Sequence, residues 1–171
     1  MNHDKNGPAV RFEDFQLHPA LERGIQAAGF DSPRPIQAQA IPAVLDRRDV
    51  LGLAQTGTGK TAAFALPILD RILDDRRQAT RAMILAPTRE LASQIAEEIR
   101  LLSRFAKTRV AVIYGGVPVH KQRGVLKSRP DIVVGCPGRV LDLIQQKILR
   151  VDQIDTLVLD VALPEGMRYQ Q

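Results

Sequence analysis

The sequence predicts an α/β domain in which a parallel sheet of at least five strands is flanked by helices on both faces. Short apolar runs alternate with helix-compatible segments from residue 49 onward, a pattern typical of parallel strands joined by crossover helices. A glycine-rich loop that ends in Gly59-Lys60-Thr61 lies between the first apolar run and the first helical segment, as in phosphate-binding domains. The predicted strands are 50–53, 82–86, 110–113, 132–135 and 156–160.

The segments between these strands show helical spacing of apolar residues. In the segment 89–102, Leu91, Ile95, Ile99 and Leu102 fall on one helical face, which indicates a core-facing helix without a chemical role for these side chains. The predicted helices of this region are 60–73, 89–102, 119–127 and 139–146.

Before residue 49, the sequence predicts a polar, disordered start followed by two short helices. Residues 1–10 lack an apolar pattern. A helix is predicted over 19–28, beginning at a proline in the first helical position. A second is predicted over 36–45, with a kink or a division at Pro42. No interdomain linker is evident, so residues 11–171 are expected to form one domain.

Composition excludes several function classes. The chain has 171 residues, 44% of them hydrophobic and 25% charged, as expected of a globular protein. Its net charge of +5 is compatible with a polyanionic partner. The single Cys136 excludes an internal disulfide, and His3, His18 and His120 lack the spacing of metal ligands. Without a signal peptide or membrane-spanning stretch, we expect a cytoplasmic protein with no membrane contact.

The loop at 54–61 reads Ala-Gln-Thr-Gly-Thr-Gly-Lys-Thr and predicts a phosphate site. Its glycines let backbone N–H groups turn toward an anion, and the following helix adds the partial positive charge of its N-terminus. Lys60 is expected to reach the β- and γ-phosphates, and the Thr61 hydroxyl is expected to bind Mg²⁺. The first position departs from the general pattern, since Ala54 replaces a glycine.

A resemblance to a known family follows from this loop and from residues 29–37, which read Gly-Phe-Asp-Ser-Pro-Arg-Pro-Ile-Gln. Together they resemble the Walker A and Q motifs of the DEAD-box RNA helicases, in their N-terminal RecA-like domain. Residues 87–92 are similar to motif Ia, Gly115-Gly116 to the glycine doublet, and 137–139 to motif Ib. These motifs stand in family order over nearly the whole chain.

The resemblance implies binding of ATP, ADP or AMP with Mg²⁺. A glutamine amide carries both a donor and an acceptor, so Gln37 can pair with the N6 and N7 edge of adenine, as the family implies. The family places an aromatic side chain against the base at the position of Phe12, and Phe30 can pack there as well, although either ring can instead belong to the core. Thr61 and Asp160 are the implied Mg²⁺ residues, the latter through water. The nucleotide-contacting residues are then Phe12, Phe30, Gln37, Gln55, Thr56, Gly57, Thr58, Gly59, Lys60 and Thr61.

Motifs Ia and Ib are implied to face RNA. Backbone N–H groups and basic side chains hold a sugar–phosphate chain without reading bases, so we expect weak, sequence-independent binding. Arg89 has an alternative role, because its guanidinium also suits a carboxylate of its own domain. Cys136 stands where the family usually has Thr, which replaces a strong hydrogen-bond donor with a weak one. The implied RNA-contacting residues are Pro87, Thr88, Arg89, Gly115, Gly116, Pro137, Gly138 and Arg139.

Motif II differs from the family. Asp160 is followed by Val161, Ala162 and Leu163, where the family reads Asp-Glu-Ala-Asp. Val161 stands in place of the Glu that activates water, and the loss of a general base typically costs ~10²–10⁴ in rate. The chain also stops before the family's Ser-Ala-Thr motif and second domain. We therefore expect a fragment that binds nucleotide, hydrolyses it poorly and does not unwind RNA. A homodimer through the surface so exposed is a further hypothesis.

Two other functions remain as alternatives. One is a nucleic-acid-binding module that does not depend on nucleotide. The other is a small-molecule phosphotransferase with a phosphate loop, although the sequence shows neither an arginine-rich lid nor an acceptor-site motif.

Overall fold

The computed structural model describes residues 10–53 and 57–160. Within these residues the chain divides into two compact units. The first contains the residues up to Arg76 together with Glu98–Lys107, and the second contains Arg77–Glu97 together with the residues from Thr108 onward.

The first unit is helical. A 3₁₀ turn at Phe12–Phe15 precedes α1 (Pro19–Ala27), α2 (Pro35–Leu45) and α3 (Lys60–Asp74), and α4 (Arg89–Leu102) contributes its last residues. The ring nitrogen Nδ1 of His18 accepts the Ala20 N–H at 3.2 Å and so caps α1. The His18 N–H donates to the Asp70 carboxylate of α3 at 2.7 Å, which ties the start of α1 to α3. Burial raises the pKa of Asp70, and this hydrogen bond opposes the shift.

The core of the first unit depends on one close helix contact. Leu21, Ile41, Leu66 and Leu102 are fully buried. At Gly24 on α1, a Cβ would lie 1.9 Å from the Leu102 carbonyl oxygen, a distance that no side chain tolerates. Glycine at this position is therefore what allows α1 to approach the end of α4.

The second unit is built on a parallel sheet of four strands in the order β2-β3-β1-β4. The first residues of the four strands are aligned across the sheet. Ala82 pairs with Ile132 and with Thr156 on its two sides, and Val110 pairs with Ile132. The central strands β1 and β3 are mostly or wholly buried, as the continuous apolar runs predict. The strands are β1 (Ala82–Leu85), β2 (Val110–Ile113), β3 (Ile132–Gly135) and β4 (Thr156–Leu159).

Helices α5 (Val119–Lys127) and α6 (Pro137–Gln145) complete the second unit and supply much of its core. Leu126 of α5 and Leu143 of α6 pack with Ile113 and Val133 of the sheet. The parallel sheet and its flanking helices confirm the predicted fold class. No helix among residues 10–53 and 57–160 is both long and apolar enough to cross a bilayer.

The predicted strand 50–53 is not confirmed, so the described residues contain four strands rather than five. The side chain of Leu51 is 86% exposed. A strand exists only through hydrogen bonds to a neighbour, and no described strand pairs with this segment. Its apolar composition therefore does not produce a strand by itself.

The other differences are small. Helix α2 continues through Pro42, so the predicted division there is not found, and the predicted kink stays a prediction. Helices α4 and α5 have the predicted bounds, while α6 begins two residues earlier than predicted because Pro137 occupies its first position. The predicted disorder of residues 1–10 falls almost entirely outside the described residues.

We predict that Gly24→Ala lowers the free energy of unfolding by about 1–3 kcal/mol, because the added methyl group forces α1 away from Leu102. Urea unfolding measures this change. Gly124→Ala is the control, since Gly124 lies within α5, a Cβ there would meet nothing within 4 Å, and helix propensity favours alanine. Equal stability of Gly24→Ala and the parent chain would contradict the close contact.

Candidate functional site

The phosphate loop leads into α3 through residues with left-handed backbone. Gly59 has a φ of 87° and is the N-cap of α3, and Gly57 has a φ of 79°. Only glycine adopts these conformations readily, which accounts for both positions. Lys60 and Thr61 form the first turn of the helix, as predicted. Ala54, Gln55 and Thr56 lie outside the described residues.

Gln37 joins α2 to this loop. Its amide Nε2 donates to the Gly59 carbonyl oxygen at 3.1 Å, and its Oε1 accepts the Arg34 N–H at 2.9 Å. The side chain is fully buried, and a Cβ on Gly59 would lie 2.5 Å from its Nε2. A glutamine amide has two donor hydrogens and two acceptor lone pairs, so one of each remains after these bonds.

Arg34 makes a second link between the same segments, because its guanidinium donates to the Gly57 carbonyl. The C=O of one residue and the N–H of the next point in opposite directions across a trans peptide. Since the Gly57 and Gly59 carbonyls face Arg34 and Gln37, the N–H groups of Thr58 and Lys60 face away from them. The residues around Gln37 therefore set the orientation of the loop backbone.

A carboxylate that sequence reasoning missed lies at the start of α3. The carboxyl group of Glu98 on α4 interacts with the Thr61 hydroxyl and the Ala62 N–H. Burial raises the pKa of Glu98, and the bond from Thr61 and the charge of Arg34 oppose the shift. A signal was present in the sequence, because Glu98 falls on the apolar face of α4, three residues after Ile95 and four before Leu102.

Phe12 belongs to an aromatic cluster. It is 7% exposed, and its ring meets those of Phe15 and Phe30 edge-on, with centroids 6.1 and 6.2 Å away. Phe12 thus has the core role that the sequence left open, whereas Phe30 is only partly buried. Contact with an adenine base remains a prediction for Phe12 and Phe30.

The second unit brings the predicted motifs Ia and Ib and Asp160 to one edge of the sheet. Hydrogen bonds of 2.9 Å continue the ladder past the strand ends, from the N–H groups of Ala86, Cys136 and Asp160 to carbonyls of the neighbouring strands. The loops after β1, β2, β3 and β4 therefore start side by side at the carboxyl ends, where α/β sheets bind ligands. Pro87, Thr88, Arg89, Gly116, Pro137 and Gly138 are exposed there.

Two arginines of this edge hold the loop that contains the glycine doublet. The Arg139 guanidinium donates to the Val117 carbonyl at 2.7 Å and to Gln122 Oε1 at 2.9 Å. Arg89 donates to the Gly115 carbonyl at 3.4 Å. The partner of Arg89 within its own unit is thus a carbonyl group rather than the carboxylate considered from the sequence.

The remaining predicted residues also have defined places. The Thr88 hydroxyl accepts the Leu91 N–H at 3.2 Å and caps α4, and Cys136 caps α6 without a side-chain bond. Burial raises the pKa of the Cys136 thiol, with the charge of Arg89 opposing the shift. Thr61 belongs to the first unit and Asp160 to the second. Val161 and Leu163 lie outside the described residues.

A metal site built from protein ligands alone is not found in the described part of the chain, where no three His, Cys, Asp or Glu side chains come together. Nucleotide phosphates carry oxygen ligands of the kind that Mg²⁺ prefers. The Thr61 hydroxyl fits that arrangement chemically, because it is an oxygen ligand at the start of the helix that follows the loop.

Comparison with known proteins connects this arrangement to a family. Residues 34–162 match the family model described as DEAD/DEAH box helicase. The chain is 44% identical over 151 residues to the DEAD-box ATP-dependent RNA helicase CshA of Bacillus cereus (strain ATCC 10987), an alignment that covers 88% of this chain and 29% of that protein. It is 43% identical over 153 residues to CshA of Bacillus subtilis (strain 168), covering 90% of this chain and 31% of that protein.

The chain therefore spans less than a third of the length of these relatives. The matched region includes Gln37, the phosphate loop and Asp160, and it covers well over half of the chain. From this match, the chain belongs to the DEAD/DEAH box helicase family.

Proposed function

We propose that this chain binds adenine nucleotides through the phosphate loop and Gln37. The observation that carries this proposal is the hydrogen bond from the Gln37 amide to the Gly59 carbonyl. It links a side chain suited to adenine recognition directly to a loop suited to phosphate binding. The remaining donor and acceptor of the amide are a matched pair for N7 and N6 of adenine, whereas guanine presents an acceptor at position 6.

The phosphates would lie at the start of α3, where the helix dipole and backbone N–H groups favour an anion. Lys60 would contribute its charge to the β- and γ-phosphates, and Thr61 would offer its hydroxyl to Mg²⁺. The metal, when bound, neutralises phosphate charge. In the second unit, Asp160 is the residue we propose for metal binding through water.

We further propose that binding proceeds with little hydrolysis. Val161 has an apolar side chain that cannot accept a proton from water, and it follows Asp160 directly. The relatives named as ATP-dependent RNA helicases are more than three times as long as the region that this chain matches.

For RNA, we propose weak contact at the carboxyl edge of the second unit. Thr88, Arg89, Pro137 and Gly138 are exposed at neighbouring strand ends. Arg89 and Arg139 stabilise the 115–117 loop and keep their positive charge beside it. Such groups attract phosphates without reading base edges, so the binding would be independent of sequence.

We expect calorimetric titration to detect ADP binding and much weaker GDP binding. Lys60→Ala should lower ADP affinity by roughly 10- to 100-fold, because a charged contact to phosphate is lost. Lys107→Ala is the control, since Lys107 is an exposed lysine of the same unit. Unchanged ADP affinity in Lys60→Ala would refute the phosphate site, and RNA binding unaffected by ADP would favour the nucleotide-independent alternative.

A second prediction concerns base selection. Gln37→Ala removes both the donor and the acceptor of the side-chain amide, so the ratio of ADP affinity to GDP affinity should fall toward one. ADP binding should also weaken, because the Gly59 carbonyl loses its hydrogen-bond donor. The same titrations measure the ratio. Gln26→Ala, at an exposed position of α1, should behave like the parent chain. A Gln37→Ala variant that remains as selective as the parent would remove Gln37 from the base site.

A third prediction concerns Glu98, whose carboxyl group interacts with the Thr61 hydroxyl and the Ala62 N–H, two groups that a phosphate would otherwise use. Glu98→Ala should raise ADP affinity by roughly 2- to 10-fold, the value of about one competing hydrogen bond. The matched control is Glu97→Ala, because Glu97 is the exposed neighbour on the same helix. Weaker ADP binding in Glu98→Ala would show instead that Glu98 supports the binding-competent loop.

A further inference from the structure

The second unit contains a cavity at the edge of the sheet opposite the predicted RNA motifs. Its volume is about 750 Å³. It is lined by residues that precede β1, by the ends of α5 and α6, and by the segment before β4. We call it the amino-edge cavity, because it lies at the amino ends of the strands. Neither the phosphate loop nor the motifs at the carboxyl edge contribute to it.

The charge of this cavity is strongly positive. Its lining includes six Lys and Arg side chains and one carboxylate, Asp152, which Arg150 holds in a two-point contact at 3.1 and 2.9 Å. Arg77 pairs with Asp155 at 3.4 Å. The other four cations have no ion pair with a carboxylate anywhere in residues 10–53 and 57–160, and these are Arg123, Lys127, Arg129 and Lys147.

Helix ends explain only part of this cluster. The C-termini of α5 and α6 attract cations, but each carries a partial charge of roughly −0.5, far less than four positive charges. Arg129 and Lys147 also have left-handed backbone, with φ of 52° and 56°. Glycine adopts that conformation at lower cost, yet the chain has a cation at both positions. The excess charge therefore favours a partner outside the unit.

The floor of the cavity indicates what kind of anion fits. Ile148 is partly exposed in the cavity, and the buried residues Leu126 and Leu149, 8% and 4% exposed, lie beside it. A sugar–phosphate chain would leave this apolar floor uncovered, and no aromatic side chain lines the cavity for a base to stack on. An acidic peptide fits both the cations and the apolar floor of the cavity. Its carboxylates can pair with the Lys and Arg side chains, and one apolar side chain can cover the floor.

We propose that the amino-edge cavity binds an acidic polypeptide segment of a partner protein, with one aliphatic side chain packed on Ile148 beside Leu126 and Leu149. None of its lining residues belongs to the proposed nucleotide site, so the two sites can be tested separately. It adds a protein-docking surface to a chain whose proposed function uses the phosphate loop and the carboxyl edge.

The test uses the full 171-residue chain and the fluorescein-labelled peptide Glu-Asp-Glu-Leu-Glu-Asp-Glu, with binding followed by fluorescence anisotropy. We expect saturable binding that weakens with salt. Replacing the peptide leucine by serine should weaken binding by about tenfold, because the apolar floor loses its cover. No peptide binding, or equal binding of the two peptides, would overturn the proposal.

The matched variants separate binding from folding. Arg129→Gly with Lys147→Gly removes two rim charges at positions where glycine suits the backbone, so the thermal midpoint should stay close to that of the parent chain. Peptide affinity should fall by about tenfold or more. The control pair, Arg47→Gly with Lys121→Gln, also removes two exposed charges and includes a left-handed position, and it should keep peptide binding.

RNA is tested in the same assay with labelled oligouridylate. Competition between oligouridylate and the peptide, lost in the Arg129→Gly and Lys147→Gly variant, would assign the cavity to nucleic acid and overturn the proposal. ADP titration of that variant should match the parent chain. A failure at the amino-edge cavity is therefore distinguishable from a failure of the nucleotide site.

Discussion

The buried amide of Gln37 is the interaction on which the candidate nucleotide site depends. It bonds the Arg34 N–H at the start of α2 and the Gly59 carbonyl at the start of α3, so one side chain fixes two helix starts. Leaving either backbone group unsatisfied in a buried place typically costs about 1–3 kcal/mol. A residue that the family resemblance assigns to base recognition therefore also has a structural role. Any measurement on Gln37 variants reports both roles together.

Much of the fold could be predicted because it rests on local patterns. The apolar spacing of α4 and the composition of β2 and β3 were sufficient to predict their bounds, and Gly57 and Gly59 indicated the loop backbone. The segment 50–53 could not be judged in this way, since a strand also needs a partner that composition does not specify. Likewise, the contacts of Arg34 and Glu98 with the phosphate loop depend on how separate segments pack, which residue patterns alone do not reveal.

The two edges of the second unit use positive charge differently. At the carboxyl edge, Arg89 and Arg139 bond to backbone carbonyls of a neighbouring loop, so their first contribution is to hold that loop in shape. At the amino edge, Arg129 and Lys147 stand on strained backbone beside an apolar floor and have no described carboxylate partner. The arginines at the carboxyl edge therefore have a structural role, whereas the cations at the amino edge have no carboxylate partner among the described residues.

The position of Glu98 changes what an affinity for nucleotide would mean. The carboxyl group of Glu98 already interacts with Thr61 and Ala62 at the start of α3. On the proposed function, nucleotide phosphates would replace this contact of Glu98 rather than fill an empty pocket. The measured free energy is the difference between the two states, so a weak affinity is compatible with strong individual phosphate contacts.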